Sequence, residues 1–258
     1  MEHIEDFYNS YDEDKRLTKK SHRPEYLTTM GFIEKYLTPN AKILEIGAGT
    51  GRYSIALAEK GYEVTAVELV PHNIDIMRKK VKAKHRIEII EGNACDLSFI
   101  ESNSYDIVLL LGPMYHLHND EDKHKAMSEA IRVAKKDGII YSSYCNNFTF
   151  IYKMFAERRM LEYYKKGYVD EHFRAKSIPK MIFELYRKSD IDELMKCYDV
   201  TRLHFVGVDM LSYIFNNKFD RLNKKEFELY MKFIEEMCER EELVGFSIHM
   251  LDIFKKNC

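Results

Sequence analysis

Between Ala41 and Cys145, short β-branched or apolar runs alternate with helix-patterned segments, an arrangement that leaves a parallel sheet with crossover helices as the natural fold. Five strands are predicted: Lys42 to Ile46, Glu63 to Val67, Ile87 to Ile90, Tyr105 to Leu111 and Ile139 to Cys145. The helices between them carry their own punctuation. Tyr53 to Lys60 stops at Gly61, while Ile74, Met77 and Val81 recur behind Pro71, a residue suited to a first helical turn. Asn119 to Asp122 favour the positive end of a helix whose apolar stripe is Met127, Ala130, Ile131 and Ala134. Lys135, Lys136 and Gly138 are expected to close it.

After Cys145 the rhythm changes. Asn147 to Lys188 holds ten Lys/Arg against five Asp/Glu, with ten Phe/Tyr, and reads as a helical insertion rather than another strand unit. Strand-like stretches return at Val200 to Val208 and Val244 to Phe254, separated by an amphipathic helix around Lys224 to Glu241. The expected fold is α/β: a doubly wound, mostly parallel, seven-stranded sheet with a helical insertion after the fifth strand. No repeat, low-complexity tract or Gly/Ser linker divides residues 1–258, so a single domain is expected.

Composition removes several function classes. Lys and Arg total 40 against 42 acidic residues, so the whole molecule has no field that would draw it to nucleic acid or an anionic membrane. No run of 18 uncharged apolar residues occurs, and a cytoplasmic protein is expected. Cys95, Cys145, Cys197, Cys238 and Cys258 are widely spaced and odd in number, which predicts reduced thiols and no metal site.

The segment Leu44-Glu45-Ile46-Gly47-Ala48-Gly49-Thr50-Gly51 joins the first strand to the first helix. Glycines there permit a sharp turn and close approach of a ligand, although a tight turn alone would use them too. Three nucleotide loops compete. A Walker loop needs Gly-Lys-Ser/Thr, but Arg52 and Tyr53 follow Gly51. The dinucleotide fingerprint would place its last glycine at Arg52, and Glu45 would repel a pyrophosphate, which argues against an NAD dehydrogenase. S-adenosylmethionine carries an ammonium and a sulfonium, so a carboxylate beside the loop helps it. Glu68 ends the second strand 21 positions after Gly47, the separation at which an acid reaches a ribose; its alternative is an exposed strand-end glutamate.

On these residues the chain resembles the class I S-adenosylmethionine-dependent methyltransferases, in four successive motifs from Ala41 to Asn146. The resemblance implies that Glu45, Gly47, Ala48, Gly49, Gly51 and Tyr53 meet the methionine side, and Glu68 and Leu69 the ribose side. Gly92-Asn93-Ala94-Cys95-Asp96-Leu97 is similar to the adenine-side motif, with Asn93 where the family more often has aspartate and Ala94 beside it. Tyr105 to Leu117 is similar to the fourth motif, placing Leu111, Gly112 and Met114 near the reacting methyl. Its Gly-Pro-Met-Tyr-His ending resembles small-molecule methyltransferases and lacks the Asn/Asp-Pro-Pro-Tyr of enzymes that methylate base amines. In related enzymes a segment such as residues 1–40 folds over the cofactor, which makes Tyr11 and Arg16 candidates, Arg16 for the methionine carboxylate. Residues 41–146 would then be the cofactor-binding core, 147–188 a lid and acceptor wall, and 189–258 the remaining strands and helices.

The implied reaction transfers a methyl group to a small-molecule acceptor and leaves S-adenosylhomocysteine. His116 is the candidate base, with His118 behind it, and Tyr115 could orient the acceptor or face the sulfonium. Tyr163, Tyr164, Tyr168 and Phe173 would wall the acceptor pocket or form a small core of their own. Two rival readings are an RNA methyltransferase, prompted by the basic aromatic insertion, and a nonenzymatic sensor of S-adenosylmethionine.

Overall fold

The computed structural model describes residues 2–10 and 18–258. Five parallel strands, β1 (Lys42–Ile46), β2 (Glu63–Glu68), β3 (Ile87–Glu91), β4 (Tyr105–Leu110) and β5 (Ala134–Asn146), are followed by β6 (Leu185–Tyr186), β7 (Val200–Gly207) and β8 (His249–Lys256). The order across the sheet is β3-β2-β1-β4-β5-β8-β7, with β6 paired to β5 outside that path. Strand β8 runs antiparallel to both β5 and β7. After β3 the chain crosses back to lay β4 beside β1, so the strand order reverses between them. A crevice opens beyond the carboxyl ends at such a switch point.

Apolar residues on both faces of the central strands explain why helices cover the sheet twice. On one face Leu44, Ile46, Val108 and Leu110 meet Met127 and Ala130 of the helix Asp120–Val133. On the other, Ile43, Ile107 and Leu109 meet Leu57 of the helix Arg52–Glu59 and Ile33 of the helix Arg23–Tyr36. Among the described residues no helix is long and apolar enough to cross a membrane.

The sheet has eight strands, one more than the seven expected. The extra one is β6, two residues at the end of the insertion whose pairing with Cys145 and Asn146 leaves no periodic signature. The helix before β5 stops at Val133, and the strand already contains Lys135 and Lys136. Its first residues bend at Asp137, where φ is 60°, before regular pairing resumes at Ile107 and Ile139. Val244 lies in a helical turn, Glu241–Val244, rather than in the last strand, because so short an apolar run suits either state. The insertion is helical at Asn147–Ala156 and Met160–Lys165, with its own small core of Ile151, Met154, Met160 and Val169. It is tied to the loop after β4: the Glu184 amide donates to Tyr115 O at 2.8 Å, and Glu184 pairs with Lys123 at 2.9 Å and His118 at 3.3 Å.

Candidate functional site

Three left-handed glycines shape the loop after β1, with φ of 74° at Gly47, 54° at Gly49 and 80° at Gly51. A Cβ on Gly47 would stand 2.7 Å from Cδ of Pro113, and one on Gly51 would stand 2.5 Å from Cγ of Met77. The loop therefore needs glycine both for its backbone and for contact with neighbouring elements. Glu45 closes the turn: its carboxylate accepts from the Ser54 amide at 2.9 Å and from the Ser54 hydroxyl. Burial pushes its pKa up to about 8, against those two hydrogen bonds. The carboxyl group the sequence suggested for the ligand is thus engaged inside the protein, on the first turn of the helix.

Glu68 braces the loop from β2. One oxygen accepts from the Gly49 amide at 2.6 Å, the other from the Val70 amide at 2.9 Å and Asn73 Nδ2 at 3.3 Å. Burial raises its pKa and the same donors oppose the rise. Asn93 Oδ1 accepts from the Cys95 amide at 2.9 Å, forming an Asx-turn that sets the loop after β3.

These loops surround a first cavity with about 1210 Å³ of atom-free space, open to solvent. Glu45, Gly47, Ala48, Gly49 and Tyr53 line it from the β1 side. Glu68, Leu69, Asn93, Ala94, Leu111 and Gly112 close it from the other strand ends. Two expected contacts do not reach it. Met114 is fully buried in the core, because its short 3₁₀ turn, Pro113–His116, points that side chain under the loop; Gly51 is packed against Met77. Tyr11 and Arg16 lie outside the described residues. The helix Glu2–Ser10 nonetheless brings Ile4 and Tyr8 to the cavity, and Arg52 supplies a cation at its wall.

A second cavity, with about 1340 Å³ of atom-free space, lies against the insertion. Phe150, Met154, Tyr163, Tyr168, Met181 and Phe183 give it an apolar and aromatic wall, with Lys153, Arg159 and Lys176 beside Glu157. Tyr164 and Phe173, expected there too, point outward with exposed rings. Tyr8, Tyr115 and His249 line both cavities and so mark their junction.

His116 touches only the first cavity. Its Nδ1 lies 3.1 Å from Ile182 O, which can only accept, so Nδ1 carries the proton and Nε2 accepts from the Tyr8 hydroxyl at 2.9 Å. Although the ring touches the cavity, desolvation by the surrounding protein lowers its pKa to about 4, outweighing the Ile182 bond. His116 is therefore neutral near pH 7 but already engaged, and its partner Tyr8 is the group at the junction. Tyr115 donates to Leu111 O at 3.0 Å, presenting its ring rather than its hydroxyl. His118 is held by Glu184 and Ser177, away from both cavities. Because the unfolded chain binds a proton at this histidine near pH 6.5 and the folded chain only near 4, stability should fall as pH drops through that window. His116→Gln is expected to flatten the decline by on the order of 1–3 kcal/mol, measured by urea melts at about pH 7 and pH 5.

Sequence reasoning missed Arg52 as a wall residue, as well as Tyr8 and Ser143. It also missed Glu25, Val208 and His249, which arrive from a helix and two strand ends far apart in the chain. Arg52 stood within the glycine motif and could have been found there. Tyr8 stood in the tyrosine-rich stretch Phe7 to Leu17 ahead of the core, and the others carry no local pattern.

A family described as "Methyltransferase domain" matches residues 43–138. The glycine/sarcosine N-methyltransferase of Parasynechococcus marenigrum (strain WH8102) is 29% identical over 151 residues, 57% of this chain and 51% of that one. The chain spans 39% to 52% of the length of the first curated relatives it matches. A solved S-adenosylmethionine-dependent methyltransferase of Thermotoga maritima superposes with a TM-score of 0.59 at 18% identity, covering 100% of this chain and 99% of that one. The [4+2]-cyclase SpnF gives the same score, 0.59, at 14% identity over 90% of this chain and 80% of its own, so the fold by itself does not specify methyl transfer. Residues 43–138 thus match a methyltransferase domain, and the chain has the fold of solved S-adenosylmethionine-dependent methyltransferases.

Proposed function

We propose that the chain transfers the methyl group of S-adenosylmethionine to a small-molecule acceptor, with the cofactor in the first cavity and the acceptor in the second. The observation that carries this reading is the junction of the two cavities at Tyr8, Tyr115 and His249. The residues present fit the cofactor. Glycines with no Cβ line the loop, Glu68 offers carboxylate lone pairs toward a ribose, Asn93 and Ala94 suit an adenine edge, and Arg52 suits a carboxylate. When bound, that cofactor supplies an activated methyl group, so alignment and exclusion of water provide most of the catalysis. Tyr8, oriented by His116, and the ring of Tyr115 would hold the acceptor in line.

Calorimetry with S-adenosylhomocysteine, followed by a metabolite screen for its formation, tests the assignment; absence of binding would end it. Glu68→Ala is expected to weaken cofactor binding by about 1.5 to 3 kcal/mol, roughly 10- to 100-fold, since it removes a charged hydrogen-bond partner and frees the Gly49 amide. Unchanged affinity would remove Glu68 from the site.

One observation favours RNA as acceptor: Phe155, Tyr164 and Phe173 form an exposed aromatic cluster on the basic insertion. RNA binding with a steep salt dependence would support it, and none at low salt would end it. The sensor reading is opposed by the second cavity, which gives an acceptor a place to sit.

A further inference from the structure

Glu25, Asp209 and His249 come from the helix Arg23–Tyr36, the turn after β7 and the first residue of β8, and meet at the junction of the two cavities. Glu25 is 9% and Asp209 0% exposed, and the His249 side chain is 12% exposed. Asp209 Oδ1 accepts from the Ile248 amide at 2.9 Å, while its Oδ2 stands 2.7 Å from His249 Nδ1. Glu25 Oε2 lies 3.4 Å from that same nitrogen. Carboxylates only accept, so Nδ1 carries a proton, and its distance to Asp209 is that of a hydrogen bond rather than of two ligands spread around an ion. Burial opposes a charged ring here, but Glu25 and Asp209 outweigh it and hold the imidazole well above its ordinary pKa. The cluster is thus a buried imidazolium backed by two acids on its Nδ1 side.

The remaining surroundings of the ring favour an anion. Cys145, its cross-strand partner, is a weak hydrogen-bonding neighbour that an oxyanion would displace. The Tyr213 ring packs against it in a T-shaped contact, with centroids 5.5 Å apart, and Lys153 Nζ sits 5.4 Å from the centre of that ring. Farther into the second cavity, Lys153, Arg159 and Lys176 face a single acid, Glu157.

Resting on the two-cavity reading above, we propose that His249 is the acceptor-binding residue: its Nε2 side donates a charge-assisted hydrogen bond to the phenolate oxygen of an aromatic acceptor in the second cavity, with Asp209 and Glu25 as positioning residues. The site then needs no base to deprotonate the acceptor during transfer. The phenolic proton leaves to water as the acceptor binds. An oxygen lone pair forms the O–CH₃ bond while the S–CH₃ bond breaks and its electron pair returns to sulfur as a neutral thioether.

The probe is 4-nitrophenol, whose phenolate absorbs in the visible, added to the whole chain saturated with S-adenosylhomocysteine at about pH 6. The phenolate band should grow as protein is added. His249→Gln should reduce that growth about tenfold or more while S-adenosylhomocysteine affinity stays within about twofold. Glu25→Gln should lower the pH at which the His249 ring shifts pass from imidazolium to neutral, because it removes one of the two charges that hold the proton, whereas a merely structural role would not move that pH. In the wild-type chain, the His249 ring carbon and proton shifts should remain those of an imidazolium at about pH 7, a reading independent of how the variants fold. The proposal is overturned by full phenolate binding in His249→Gln, by capture of the neutral phenol, by no 4-nitrophenol binding at all, by a neutral ring at about pH 7, or by tight binding of Zn²⁺ at the cluster. Failure of S-adenosylhomocysteine to bind the wild-type chain would instead sink the cofactor assignment, and phenolate binding would then be read in the cofactor-free chain.

Discussion

Gly49→Val is expected to weaken cofactor binding by roughly 100-fold or more while the sheet stays folded. The residue sits at φ 54°, where a β-branched side chain is strained by on the order of 1–3 kcal/mol, and it lines the first cavity, so the added methyls would occupy space a ligand needs. Strain would also pull its amide from Glu68, which holds the loop at 2.6 Å. Both effects act on the binding loop, whereas the strands beneath it are held by Ile43, Leu44 and Ile46, each fully buried. Calorimetry with S-adenosylhomocysteine, beside a urea melt, separates the two. Retained affinity would show that the loop is only a turn.

Arg202→Leu should cost stability instead, by about 3–5 kcal/mol. The guanidinium of Arg202 on β7 grips Asp252 of β8 with two bonds, at 2.7 and 2.8 Å, and reaches Asp192 with its third nitrogen. Asp252 is fully buried, so removing its partner leaves an uncompensated charge inside the sheet. A second variant, Arg202→Met with Asp252→Leu, should recover much of the loss, because a buried pair can be replaced by apolar residues of similar volume at little net cost. The measurement is the urea midpoint at about pH 7. A single variant as stable as wild type would refute the account.

The strand positions of the core and the glycine loop were legible because their signals are local. β1 to β4 are short runs of Ile, Leu and Val bounded by turn residues, and the left-handed backbone at Gly47, Gly49 and Gly51 is a demand written at those positions. The acid at Glu68 was legible for a related reason: a strand followed by a helix and a second strand fixes the distance between the two strand ends. Glu45 was read correctly as part of the loop but not in its role. Its carboxyl oxygen is turned to Ser54, a contact between the strand end and the first helical turn that charge arithmetic along the sequence does not show.

The sequence by itself determined the α/β class and the glycine loop after β1, since each follows from periodicity and backbone conformation over a few residues. Tertiary structure alone decided what stands across from that loop. Tyr8 reached the junction through the helix Glu2–Ser10, Met114 turned inward because its 3₁₀ turn packs on the core, and His116 became a partner of Tyr8 and Ile182 instead of a free base. His249 met Glu25 and Asp209, 224 and 40 positions away, because β8 returns antiparallel between β5 and β7 and sets its first residue at the cavity mouth. Side chains so distant in the chain share no spacing rule. They are brought together by the pairing register of the sheet, which is fixed by burial of its apolar faces and not by any property of the three residues themselves.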